Sequence, residues 1–231
     1  MLRSFPLASI ALCVFLSWTS AGSVSAQEKA PDRWEKEIAA IEELIVSGKS
    51  PKEAVLFVGS SSIRLWKLDK SFPHLKTANH GFGGSQLEDS VRYFERIVVP
   101  VKPTIIVLYA GDNDIASGKS AATVSKDFRE FVEKVEQLLP TCRRVIFVSI
   151  KPSLKRWALA EKMQETNASI KKICESDARL EFVDIWPPML NSNGEPKAEL
   201  FVEDGLHLSE AGYSLWSQAL RPHLVAPANN P

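Results

Sequence analysis

Four short segments of this 231-residue chain carry side chains whose types and spacing could do chemistry. They are Gly59-Ser60-Ser61-Ser62, Asn79-His80-Gly81-Phe82-Gly83-Gly84, Gly111-Asp112-Asn113-Asp114 and Asp204-Gly205-Leu206-His207. A serine hydroxyl is a weak nucleophile near neutral pH unless a positioned base takes its proton, and that base needs a partner to fix its tautomer. Asp204 and His207 lie three residues apart around Gly205, so a tight turn can aim the carboxylate at one ring nitrogen while the other faces a serine. Of the four histidines, His207 alone has an acidic residue so close before it. Spacing by itself does not choose between Ser60, Ser61 and Ser62. Each segment also has a plainer reading. The serine run suits a strand-to-helix turn, and Asp112-Asn113-Asp114 suits a turn or a hard-cation site, although a full calcium loop is absent. His74 and His80 read as surface or structural histidines, since no Cys or acidic cluster accompanies them at metal spacing; no metal and no cofactor is expected.

Such groups must be held by a scaffold. Ala54 to Val58 is a short apolar run rich in β-branched residues, bounded by Pro51 and Gly59, as expected of a strand buried on both faces. Thr104 to Tyr109 and Arg144 to Ile150 repeat the type, and Leu180 to Ile185 is a weaker version. Helical periodicity appears from Asp32, a capping residue followed three positions later by Glu35, with Trp34, Ile38, Ile41 and Ile45 on one face. It recurs at Leu87 to Val98, Ala121 to Leu139, Ala158 to Cys174 and Glu210 to Leu220. Strands alternating with helices predict a mostly parallel sheet covered on both sides, whose active site gathers at the carboxyl ends of the strands. The first three segments follow strands or extended runs. Arg64, Trp66, Lys151 and Trp157 fall on loops near that edge, where they bind substrate or simply pack.

Residues 1–26 differ from the rest: Arg3 is the only charge, an apolar run spans Phe5 to Trp18, and small residues lead to Ala26. This predicts a secretory signal peptide, a mature chain from Gln27, and a secreted or periplasmic protein without a stable membrane anchor. The apolar run is shorter than the roughly 20 residues a spanning helix needs. Cys142 and Cys174 remain after cleavage; a disulfide and two buried thiols both fit. The globular domain is expected over 27–225, with a disordered tail at 226–231. With 28 basic and 28 acidic residues there is no electrostatic footprint for nucleic acid.

The nucleophile elbow of α/β-hydrolases is disfavoured, because Ile63 stands where Gly-x-Ser-x-Gly needs its last glycine. The four segments, in their order, resemble instead the four blocks of the SGNH hydrolases, also called GDSL esterases and lipases. The resemblance implies a flavodoxin-like three-layer α/β/α sandwich with a mostly parallel five-stranded sheet. It implies Ser61 as nucleophile, Asp204 and His207 as its partners, and an oxyanion hole from the Ser61 and Gly84 backbone N–H groups and the Asn113 side chain. Ser60 departs from the family, which usually has aspartate there; that changes the charge of the site without removing a triad member. The function implied is hydrolysis of a small-molecule or carbohydrate ester, with a short acyl group favoured because no long apolar lid segment is visible. Lysophospholipid hydrolysis, acyl transfer to a sugar, and an inactive carbohydrate-binding protein are the alternatives.

Overall fold

The Val-Leu-Phe-Val-Gly run is buried along its whole length and forms β1 (Val55–Gly59), the centre of the computed structural model, which describes residues 32–224. The expected leader 1–26 and the tail 226–231 lie outside the described residues. Around β1 stand β2 (Thr77–Gly81), β3 (Ile105–Tyr109), β4 (Arg144–Val148) and β5 (Leu180–Val183), in the order β2-β1-β3-β4-β5. Every pairing is parallel, so the sheet is wholly rather than mostly parallel. Helices cover both faces: α1 (Glu35–Val46), α2 (Ser61–Arg64), α3 (Leu68–Ser71), α4 (Leu87–Arg92), α5 (Phe94–Ile97), α6 (Asp112–Ala116), α7 (Ala121–Leu138), α8 (Ala160–Cys174) and α9 (Glu210–Leu224).

Alternation along each strand divides the core in two. Leu56, Val58, Ile106, Leu108, Val145 and Phe147 pack with α1, α4, α5, α7 and α8. Val55, Phe57, Val107, Tyr109 and Ile146 face the α2–α3 segment and α9, where Trp66, Phe72 and Trp216 form an aromatic cluster. The strand order reverses direction between β1 and β3, and ligands of open parallel sheets bind in that crevice. Ser61 follows β1 and Asn113 follows β3, so both stand at the reversal.

Two local readings are corrected and a third, left open, is decided. The first helix begins at Glu35 rather than after an Asp32 cap: Trp34 takes the N-cap place without a side-chain cap bond, while its buried ring packs edge-on to Phe82 at 5.7 Å. The helix expected over Leu87 to Val98 breaks at Tyr93. The offset lets two adjacent aromatics both reach the core, Tyr93 against Phe82 and Phe94 against Phe131. Cys142 and Cys174 are buried free thiols. Burial raises both above the ordinary thiol range, Cys174 to about 12, which keeps them protonated and unreactive.

Candidate active site

Ser61 opens α2, and the turn before it is fixed by backbone. Ser60 N–H donates to the Tyr109 carbonyl at 3.0 Å, and the Ser60 carbonyl accepts from Ile63 and Arg64 at 3.0 and 3.1 Å. The Asn79 amide donates to the carbonyls of Ile63 and Trp66 at 2.7 and 3.1 Å, and Tyr213 Oη donates to the Ser62 carbonyl at 2.9 Å. Thus β2 and α9 both hold α2. Ser60 acts through its backbone alone: its Oγ is buried and has no hydrogen-bond partner among the described residues.

The facing loop is closed by the antiparallel bridge between Phe201 and Leu208 and by Val202 N–H donating to the His207 carbonyl at 2.9 Å. Gly205, at φ +64°, supplies the left-handed residue this tight turn needs. Asp204 Oδ1 accepts from the backbone N–H groups of Leu206 and His207 at 2.8 and 2.9 Å. Its Oδ2 meets His207 Nδ1 at 2.5 Å, and His207 Nε2 lies 3.0 Å from Ser61 Oγ. Burial works to raise the Asp204 pKa, but the hydrogen bonds from His207 and Leu206 outweigh it and bring it to about 2. An ionised carboxylate therefore faces Nδ1, which places the imidazole proton there and leaves Nε2 as the acceptor toward Ser61. Of the three serines, Ser61 is the one whose hydroxyl reaches the imidazole.

Three donors were expected to meet an oxyanion beside Ser61. Its own N–H and that of Gly84, a residue at φ +73°, donate to no protein acceptor among the described residues. Asn113, in the first turn of α6, donates one amide proton to the Ser85 carbonyl at 2.8 Å and has a second to offer. Its Oδ1 accepts from Arg156 Nη2 at 2.9 Å. Arginine only donates, so the amide orientation is fixed.

Arg156 was not among the residues that spacing singled out. Its other nitrogen, Nη1, pairs with Asp112 Oδ2 at 3.1 Å, and the same oxygen accepts from Lys151 Nζ at 2.8 Å. Lys151 also donates to Tyr109 Oη at 3.1 Å. This corrects the substrate-binding reading of Lys151: it is 1 % exposed and committed to Asp112. Burial pushes Asp112 upward, yet the Lys151 and Arg156 charges hold it below the ordinary carboxylate range. Two residues on, burial raises Asp114 to about 6 despite Lys119 and the Leu87 N–H beside it. Both carboxylates are thus occupied by cations of the chain, and among the described residues no group of His, Cys, Asp and Glu is arranged to hold a metal ion. The loop carrying Lys151 and Arg156 is also tied to the Asp204–His207 turn, through Lys155 N–H donating to the Gly205 carbonyl at 3.0 Å.

The remaining expected residues are dispersed. Trp66, 3 % exposed, is clustered with Phe57, Phe72 and Trp216 and also lines the groove beside His207. Trp157 is half-buried and stacked on Trp186. Arg64 is exposed, with its guanidinium over Gly83, where a Cβ would come within 3.0 Å of it. His74 is exposed, and His80 is fully buried between Ser50 and the Ile97 carbonyl. A groove of about 820 Å³ opens beside His207, between the α2–α3 segment and α9.

With this geometry in hand, the family model described as the GDSL-like Lipase/Acylhydrolase family matches residues 63–215, starting two residues after Ser61 and spanning Gly84, Asn113, Asp204 and His207. No curated protein matches the chain. Among solved structures, a protein from Streptococcus pneumonia described as a platelet activating factor superposes with TM-score 0.75 at 24% identity, over 83% of this chain and 92% of that one. A GDSL-like lipase from Bacteroides thetaiotaomicron gives 0.68 at 18% identity, over 80% and 97%. An acetylxylan esterase from Geobacillus stearothermophilus gives 0.61 at 16% identity, over 76% and 96%.

Proposed function

The chain belongs to the GDSL-like lipase/acylhydrolase family and is a serine hydrolase of ester bonds, and from that premise we propose that it cleaves short-acyl esters, carbohydrate acetates among them, through an acyl-enzyme on Ser61. The single observation that carries this reading is the hydrogen-bonded line from Asp204 through His207 to Ser61, at 2.5 and 3.0 Å. His207 Nε2 takes the Ser61 proton as Oγ bonds to the ester carbonyl carbon, and the carbonyl oxygen becomes an oxyanion. The Ser61 and Gly84 N–H groups and the free Asn113 amide proton meet that charge. The C–O bond to the alcohol then breaks, and His207 returns the proton to the departing oxygen. Water repeats both steps on the acyl-enzyme, releasing the acid and restoring Ser61.

Asp204 fixes the imidazole and stabilises its protonated form. Arg156 supports the third donor by drawing electron density through the Asn113 amide. Support for a short acyl group comes from the sequence, which shows no long apolar lid, and from the acetylxylan esterase among the similar folds. Export is part of the proposal on the strength of residues 1–26; among the described residues no helix is long and apolar enough to cross a membrane. A fluorophosphonate probe should label the protein and fail to label Ser61→Ala. Labelling of that variant to the same extent would end the proposal, and a mature N-terminus at Gln27 would be read by sequencing the exported protein.

A further inference from the structure

The direction of the proposed reaction divides the space around Ser61. The carbonyl oxygen must point at Gly84 and Asn113, and the departing oxygen must lie within reach of His207 Nε2, which protonates it. The alcohol portion of the ester therefore extends on the His207 side, where the groove begins. Its lining includes the apolar side chains of Leu65 and Val202, exposed at 44 % and 47 %. Lys67, Lys70 and Arg221 also line it, with a single carboxylate, Glu210. None of the three cations forms an ion pair among the described residues, although elsewhere Arg96, Lys119 and Arg179 each bind carboxylates. A chain whose basic and acidic residues are equal in number thus leaves an excess of two positive charges in this groove. Arg221 also donates to the Ser71 carbonyl at 3.3 Å, which holds one cation across the groove from α9 to α3.

We infer that this groove seats the alcohol portion of an ester bearing an anionic group, a carboxylate or a phosphate; the inference rests on the acyl-transfer role of Ser61. Unpaired cations around a cleft focus the field and favour an oppositely charged ligand, and salt weakens the preference.

The test uses two acetate esters matched in shape and differing in charge on the alcohol side, para-acetoxybenzoate and its neutral amide, para-acetoxybenzamide. The wild-type kcat/KM should favour the anionic ester about tenfold at low salt, as several weak pairs together give. The ratio should approach one between about 10 mM and 1 M salt, as the Debye length falls from roughly 30 to 3 Å. In the combined variant Lys67→Gln/Lys70→Gln/Arg221→Gln it should approach one at low salt too. Each ratio is internal to one enzyme preparation, so partial loss of folded protein cancels. A wild-type ratio at or below one, or one that neither salt nor the variant changes, overturns the inference while leaving Ser61 as nucleophile. Hydrolysis of neither ester by folded wild type removes the Ser61 role and this inference with it.

Discussion

Asn113 is used at both ends of its amide. One N–H is spent on Ser85, the carbonyl is spent on Arg156, and one N–H remains for the proposed oxyanion. Replacing it with alanine removes one proposed oxyanion donor, a loss that in comparable sites costs about a hundred- to a thousandfold in kcat. Asn113→Ala is expected to lose that much with KM nearly unchanged, and to melt at a lower temperature because the bonds to Ser85 and Arg156 go with it; steady-state kinetics on the fraction a thermal melt shows to be folded would check it. Arg156→Gln keeps a donor for the Asn113 carbonyl but removes the positive charge next to it. The expected result is a smaller fall in kcat, about tenfold, with partial recovery in Arg156→Lys and no change in KM; unchanged kcat would show that the guanidinium only fills space. The Asp204–His207 pair was legible in the sequence because the two residues lie in one turn. Arg156 was not, since it reaches Asn113 from 43 positions away and no local pattern marks it. Nor could spacing choose among three serines, a choice made by which hydroxyl meets the imidazole.

At the scale of elements, the turn from β1 into α2 tolerates no side chain at Gly59. Its φ is +133°, and a Cβ there would lie 1.9 Å from the Tyr109 carbonyl oxygen. Adding that carbon drives β1 from β3 and strains the backbone at once, so Gly59→Ala should destabilise the fold by about 3 kcal/mol or more. Urea titration would read this as a lower midpoint; a midpoint equal to wild type would contradict the packing described. The strong strands were legible because burial on both faces demands continuous apolar runs, as in β1, β3 and β4. β2 hides because Asn79 and His80 interrupt its apolar character; both are spent on structure, Asn79 on the backbone of α2 and His80 on Ser50 and Ile97. The helices α2, α3 and α6 are too short, at four or five residues, to show periodicity.

Over the whole molecule, two buried groups set opposing responses to acid. Burial holds His80 at about 4, against 6.5 for a free imidazole. Its contribution is complete above pH 6.5 and is lost as pH falls through 4, roughly 3 kcal/mol in all. Burial raises Asp114 to about 6 from 3.8. That contribution is complete below pH 3.8 and is lost as pH rises through 6, by a similar amount. Between pH 4 and 6 the two offset, so their joint contribution to stability should be nearly flat there. Asp114→Asn leaves His80 unopposed, and unfolding free energies measured across that window should then fall with acidification by roughly 3 kcal/mol; a flat profile in the variant would refute the balance. The alternation of strands and helices announced the sandwich, whereas this balance depends on burial that composition does not reveal. The link from Lys155 N–H to the Gly205 carbonyl joins the loop whose Arg156 holds Asn113 to the turn that carries His207. That amide hydrogen is therefore a native isotope-exchange reporter: it is released to deuterium only when the two halves of the site part, so one resonance monitors whether the site is assembled.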